Sequence, residues 1–483
     1  MTELCDKTAL DLKQLIASKE ISPVELFRSC VRRIDQVNPS VNAVVARDDE
    51  ASLAAAREAE AQVMRGTSLG PLHGLPVGVK DLTETAGLRT TFGSPLYADH
   101  VPHADAPLAA AVRSAGAIIM AKTNTPEFGA GANTVNSVYG ATGNPFDPAL
   151  TCSGSSGGSA VALACSMVPL ATGSDLGGSL RTPASYCGVV GFRPTPGLVG
   201  DPTRILAWAP LSVQGPMARN VADLRLLLSV MAGQREGCPL SFQPREEMQP
   251  GAPQQALSGL RVAFSEDLGF APLDNGVREE FRERVQAIAP HFASAEEIDP
   301  PLEDAERIFE VLRAVGFLAA YRKIYEETPD QLGPNVTANV ELGLTFSAID
   351  VADAARDHSE LYRRFLDFMR RCDVLICPVA SVPPFPKDQL YPKSINGAPL
   401  PTYISWIGIT YGLTLTGHPV VVLPCGLDRQ GLPFGLQLVG RYGQDLTLLA
   451  IAEALESALS ESKSLRRSLP NLASLASQGT ASR

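Results

Sequence analysis

Two serine-bearing, glycine-rich segments and one lysine are the residues of this sequence best suited to covalent chemistry. The first segment is Cys152-Ser153-Gly154-Ser155-Ser156-Gly157-Gly158-Ser159. The second is Gly173-Ser174-Asp175-Leu176-Gly177-Gly178-Ser179-Leu180-Arg181-Thr182-Pro183. In the second, paired glycines before Ser179 let successive backbone N–H groups turn to one side, as in an anion-binding nest. A developing oxyanion needs that arrangement, and an exposed serine at its end is placed to be a nucleophile. A flexible linker is the plainer reading of such composition, but apolar segments flank both stretches and linkers rarely interrupt a core.

A serine nucleophile needs a base. None of the six histidines shares a motif with Ser179. Gly154-Ser155-Ser156-Gly157-Gly158 matches the Gly-x-Ser-x-Gly elbow with Ser156 at its centre, which would serve a Ser-His-Asp esterase. That elbow needs a strand directly before it, and Asp147-Pro148-Ala149-Leu150-Thr151 is a poor one. Lys80 offers another base. It ends the short apolar run Leu75-Pro76-Val77-Gly78-Val79, and a lysine carried inward on a buried strand is desolvated, lowers its pKa and can accept a proton. A surface lysine paired with Asp81 fits the same residues. Cys152 would be a reactive thiol only if Lys80 stabilised its thiolate. His100, His103 and Asp105 would form a metal site only with a further convergent ligand.

These residues must be held by a folded scaffold. The chain has 483 residues, 45% apolar and 19% charged, which excludes global disorder and coiled coil. Helical spacing marks residues 8–37 as two helices, the second opened by Ser22 as N-cap and Pro23 at N1. Residues 50–66 read as a third helix. A fourth is expected to start at Asp105 and stop at Gly116, followed by a buried strand at 117–121. Further strands are expected at 260–264, 373–379 and 419–424. Helices alternating with buried strands point to an α/β fold, a central sheet covered by helices on both faces. Residues 232–258 read as a surface connection and 461–483 as a loose polar tail.

The three segments together resemble the amidase signature family. Its pattern is a Gly-x-Pro-x-x-x-Lys-Asp strand, a Gly-Ser-Ser-Gly-Gly-Ser stretch and a Gly-Ser-Asp-x-Gly-Gly-Ser-x-Arg-x-Pro stretch, here in the family's order and spacing. The likeness runs from about residue 5 to about residue 457. It implies one large α/β domain with a central mixed sheet over 1–460, and an amidohydrolase that needs no cofactor and no metal. It further implies that Ser179 is the nucleophile, Ser155 a bridging serine after a cis peptide at Gly154, and Lys80 the base. The oxyanion would rest on the N–H groups of Leu176, Gly177, Gly178 and Ser179. Asp175 and Arg181 would support the loop, and Ser156 would add a hydrogen bond. Cys152-Ser153 departs from the commoner Pro-Gly or Cys-Gly; if position 153 needs a positive φ, a serine there carries strain.

The substrate is less legible. Gly129-Ala130-Gly131 resembles the family loop that meets the substrate from the opposite side. Trp208, Trp406, Tyr403 and Tyr411 are candidates to line an acyl or aryl pocket. The expected substrate is a small amide with an apolar or aryl acyl group; anilides, carbamates and esters belong to the same chemistry. The stretch from Pro401 to Gly412 lacks the pattern of the glutaminase subunit that serves transfer-RNA amidation, so that role is disfavoured. The net charge of −11 argues against nucleic-acid binding. No apolar run is long enough for a membrane span. The nine scattered cysteines, without a Cys-x-x-Cys pair, suggest a cytoplasmic protein with reduced thiols. A homodimer is left open.

Overall fold

Strand formation follows the apolar runs. Pro76–Lys80, Ile118–Thr123 and Val374–Pro378 are buried at every position, as strands covered on both faces must be. The computed structural model describes residues 3–244 and 256–481. Its sheet has eleven strands. In chain order they are β1 (Val44–Ala46), β2 (Pro76–Lys80), β3 (Ile118–Thr123), β4 (Leu170–Asp175), β5 (Val190–Arg193), β6 (Val213–Ala218), β7 (Arg261–Phe264), β8 (Ser294–Glu297), β9 (Val374–Pro378), β10 (Val420–Leu427) and β11 (Pro433–Val439). They lie side by side as β1-β3-β2-β4-β6-β5-β10-β11-β9-β7-β8. The sheet is mixed: β2 is parallel to both β3 and β4, while β6, β5, β10 and β11 run antiparallel to their neighbours. One continuous apolar core joins both ends of the sheet to its flanking helices. The expected α/β class with a mixed central sheet holds.

Local signals explain most helix boundaries. Pro23–Val41 starts with a capping box between Ser22 and Glu25, and buries Leu26, Cys30 and Ile34. Asp49–Arg65 ends at Gly66 in the left-handed conformation. The fourth helix spans Pro107–Ser114 rather than starting at Asp105. Asp105 is not its cap: its carboxylate accepts from the Ala86 N–H and pairs with Arg113. Up to residue 481, where the described residues end, the 461–483 stretch is not a loose tail. It carries the helix Leu472–Ala481, whose Leu475 is buried and whose backbone accepts a hydrogen bond from Ser40 on the 23–41 helix. In the 232–258 connection, residues 233–242 lie along 197–199, with Gly233 N–H donating to Leu198 and Phe242 N–H to Gly197; residues 245–255 fall outside the described residues. No helix among the described residues is long and apolar enough to cross a membrane. All nine cysteines are buried free thiols.

Candidate active site

The parallel pairing of β2 with β3 and β4 brings the three sequence segments together. Lys80 is the last residue of β2, and its own N–H donates to Thr172 Oγ1 on β4 (3.3 Å). Its side chain is 1% exposed. Nζ contacts Ser155 Oγ at 2.7 Å, Ser156 Oγ at 2.8 Å and Ser174 Oγ at 3.0 Å. Burial pushes the lysine down to about 7, against the Asp175 carboxylate, which pulls it up. The surface-lysine reading is therefore excluded. Asp81 turns away from Lys80 to Thr91 and lies 3.8 Å from the buried Lys122 ammonium.

The 152–159 segment turns under this lysine. Its Gly154–Ser155 peptide is cis. Ser153 has φ +61°, so the position does occupy the left-handed region, and its hydroxyl donates to the Ala132 carbonyl (3.0 Å), which helps hold a conformation that disfavours a side chain. The two serines behave differently. Ser156 Oγ donates to the Ser174 carbonyl (3.3 Å) and accepts from the Ser174 N–H (3.3 Å), so it is locked to β4. Ser155 Oγ has Lys80 as its hydrogen-bond partner and lines the cavity. The residues before Gly154 form only isolated bridges, at Leu150 and Thr151, and among the described residues no histidine lines the cavity. An elbow centred on Ser156 therefore has neither its strand nor its base. Cys152 is fully buried, and burial pushes its thiol up to about 12, which removes the reactive-thiol reading. Of the possible metal group, His100 pairs with Glu84 and Asp105 is held by Arg113.

The 173–183 segment is built around Asp175. Its carboxylate accepts from the Gly178 N–H (2.9 Å), the Leu180 N–H (3.0 Å) and the guanidiniums of Arg181 and Arg193, all in the buried interior. Burial opposes its ionisation, but the two arginines outweigh that and hold the carboxyl well below the usual carboxylate range. Arg181 also reaches Gln437 and the helix Gly408–Leu415, at the Thr410 carbonyl and Thr414 Oγ1. Gly178 sits at φ +128°, and a Cβ there would lie 2.4 Å from Thr410 Oγ1. Gly178 lines the cavity with Leu176, Gly177 and Ser179, but its N–H already donates to Asp175, whereas the N–H groups of the other three make no such bond among the described residues. The two serine loops are tied by Ser156 N–H to the Ser179 carbonyl (3.2 Å) and by Thr182 Oγ1 to the Gly154 carbonyl (3.2 Å).

Asp175→Asn removes the carboxylate shared by two buried guanidiniums while keeping the side-chain size. Breaking a buried ion pair on one side costs about 3–5 kcal/mol. Urea unfolding should show a loss of that order; a loss under about 1 kcal/mol would mean that the cage does not hold the loop.

Ser155 and Ser179 open into one cavity of about 290 Å³. One wall is the helix Ala305–Glu327, which presents Phe309, Leu312, Arg313, Gly316, Phe317, Ala320 and Tyr321 at 3- and 4-residue spacing. Phe309 stands against Gly177, where a Cβ would come within 2.9 Å of its ring. Gly129 and Gly131 also line the cavity, Gly129 next to Ser155; Ala130 is in that loop but packs in a small cluster with Phe317 and Val336. The tryptophans are not lining residues. Trp406 is wholly buried with its ring edge-on to Phe385, and Trp208 is 76% exposed and outside the cavity lining, to which its neighbours Arg204, Ile205 and Leu206 do contribute. Tyr403 lines it, while Tyr411 is stacked behind Phe309 at 4.6 Å. The sequence reading missed Ser174, although Thr172 and Ser174 alternate on one face of β4 toward Lys80, and it missed the whole 305–327 wall.

Residues 25–449 match the family model described as Amidase. An acylamidase of Rhodococcus erythropolis is 34% identical over 458 residues, covering 93% of this chain and 95% of that protein. A glutamyl-tRNA(Gln) amidotransferase subunit of Chloroflexus aurantiacus is 33% identical over 484 residues, covering 94% and 97%. Among solved structures, a bacterial aryl acylamidase of the amidase signature family superposes with a TM-score of 0.86 at 27% identity, covering 94% of this chain and 96% of that one.

Proposed function

This chain belongs to the amidase signature family and is an amide-hydrolysing enzyme, and on that premise we propose that it cleaves amides of apolar or aryl acyl groups through an acyl-enzyme on Ser179. The observation that carries the reading is the 2.7 Å contact of the buried Lys80 Nζ with Ser155 Oγ, beside a loop that presents Ser179 to the same cavity. A protonated lysine has three N–H donors and no acceptor; a neutral one has two donors and a lone pair. With two N–H bonds directed at Ser156 and Ser174, the lone pair is left for Ser155. Ser156 cannot supply the proton, because its own O–H is spent on the Ser174 carbonyl.

Ser155 gives its proton to Lys80 while taking the proton of Ser179, and Ser179 Oγ forms a bond to the amide carbon. The carbonyl electron pair moves onto oxygen, where the N–H groups of Leu176, Gly177 and Ser179 receive it. Lys80 returns its proton through Ser155 to the departing nitrogen as the C–N bond breaks. Water, deprotonated by the same relay, releases the acid and frees Ser179. Apolar and aryl selectivity is supported by the Phe309, Phe317 and Ile205 surfaces of the cavity. The acylamidase relative supports cleavage of acyl amides, and the aryl acylamidase structure supports an aryl one.

The likeness to the amidotransferase protein supports a second reading, in which the amide is that of glutamine and ammonia is the product of interest. Two measurements decide. A fluorophosphonate followed by peptide mapping should mark Ser179; a label on Ser156 or elsewhere overturns the assignment. A turnover panel of primary amides, anilides, carbamates, esters and glutamine should favour anilides or apolar amides; ammonia release from glutamine alone would establish the second reading instead.

A further inference from the structure

From Arg313 we infer a substrate feature beyond the apolar acyl group: the amide this enzyme cleaves carries a carboxylate, and Arg313 binds it. The inference rests on the Ser179 reading above and specifies the substrate of that site.

Arg313 is 7% exposed and faces the cavity from its helical wall. A buried guanidinium is normally matched by a carboxylate, as Arg181 and Arg193 are by Asp175. Arg313 has only neutral partners among the described residues: it donates to Asn339 Oδ1 and Tyr403 OH, and its guanidinium lies over the rings of Phe317 (4.8 Å) and Tyr403 (4.9 Å). The rings and the two acceptors fix the plane of the guanidinium. Those bonds use two of its five N–H donors, and a planar fork of free donors suits a carboxylate.

The rest of the cavity agrees. Among the described residues it is lined by a second arginine, Arg204, and by no aspartate or glutamate. The nearby acidic side chain of Glu127 is turned to Ser94 Oγ (2.7 Å) and the Gly333 N–H (2.6 Å). So a chain with a net charge of −11 keeps a cationic cavity over its serines. Position matters too. Phe309 abuts Gly177 of the proposed oxyanion loop, and Arg313 is one helical turn, about 5.4 Å, further along. That reach suits an acid a few bonds from the scissile carbonyl. An α-amino acid such as glutamine fits less well, since its ammonium would find no carboxylate among the lining residues.

Two matched pairs of anilides test this, because the acid could stand on either side of the amide bond. Glutaryl 4-nitroanilide is compared with 5-methylhexanoyl 4-nitroanilide, and acetyl-4-aminobenzoate with acetyl-4-isopropylaniline. Wild-type enzyme should favour the acid in at least one pair by roughly ten- to a hundredfold in kcat/KM, the scale of one charge-assisted contact. Arg313→Gln should cut that ratio at least tenfold, mainly through KM of the acid, and Arg313→Lys should keep part of it. If the glutamine variant does not fold, the lysine variant and the wild-type ratio decide. Ratios at or below one in both pairs, or a preference that survives in Arg313→Gln and vanishes in Arg204→Gln, would overturn the inference. Cleavage of the neutral anilides with Ser179 labelled but no acid preference sinks this inference alone. No cleavage of any anilide and no label on Ser179 sinks the reading beneath it.

Discussion

Ser179→Ala is expected to lower amide turnover by at least about 10³-fold, the scale seen when a covalent nucleophile is removed, and to leave the fold intact. The hydroxyl is half-buried at the cavity and makes no hydrogen bond to the described residues, so its loss leaves no buried group unpaired. Unfolding free energy should stay within about 0.5 kcal/mol of wild type. Ser156→Ala provides the contrast. It deprives Lys80 of one acceptor and the Ser174 N–H and carbonyl of their partner. A lost buried hydrogen bond of about 1–1.5 kcal/mol predicts roughly a tenfold slower enzyme, not an inactive one. Steady-state assays on one anilide, with urea unfolding of each variant, separate the cases. If Ser156→Ala were the inactive variant and Ser179→Ala the slow one, the roles would have to be exchanged.

The difference between these two neighbours shows what the residues disclose in advance and what they do not. Lys80, Ser155 and Ser179 could be picked out because glycine-rich turns and a lysine ending an apolar strand are local features with local causes. The same holds for β2, β3 and the 23–41 helix, whose runs and caps are complete within a few residues. The Gly178 N–H could not be assigned from its motif, because its orientation is set by Asp175, which is itself held by Arg181 and by Arg193 from a different strand. Trp406 looked like a pocket residue by type, yet lies behind the cavity in the core. The helix 472–481 looked polar because only one narrow face, around Leu475, meets the 23–41 helix. Arg313 shows the limit most sharply. A charged residue in a helical stripe reads as surface until the 334–345 helix and Tyr403 close over it. Such features depend on contacts between distant segments, and spacing within one segment carries no information about them.

The pH dependence should report Lys80 directly. Desolvation holds its pKa at about 7 rather than 10.5, with Asp175 partly opposing the shift. The base must be neutral to accept the Ser155 proton. Below about pH 7 the neutral fraction falls tenfold per unit, so log kcat/KM on a neutral anilide should rise with unit slope from pH 5 to about 7 and level off above it. A required protonated lysine would give the opposite sign, with activity falling as pH rises through the same value. Lys80→Ala should lose roughly 10²–10⁴-fold at pH 8, the usual share of a general base, and flatten the acid limb. Stability should change in a linked way. Between the folded pKa near 7 and the unfolded value of 10.5 the unfolded chain binds the extra proton, so wild-type stability gains from this lysine as pH rises through that window. The alanine variant should lack that gain. Lys122 contributes a similar slope from about 8 upward in both proteins, so the comparison must be the difference between wild type and variant rather than either curve alone. A flat wild-type profile between pH 5 and 7, or near-full turnover by Lys80→Ala, would place the proton acceptor elsewhere. Among the described residues the cavity offers no histidine or carboxylate to take its place.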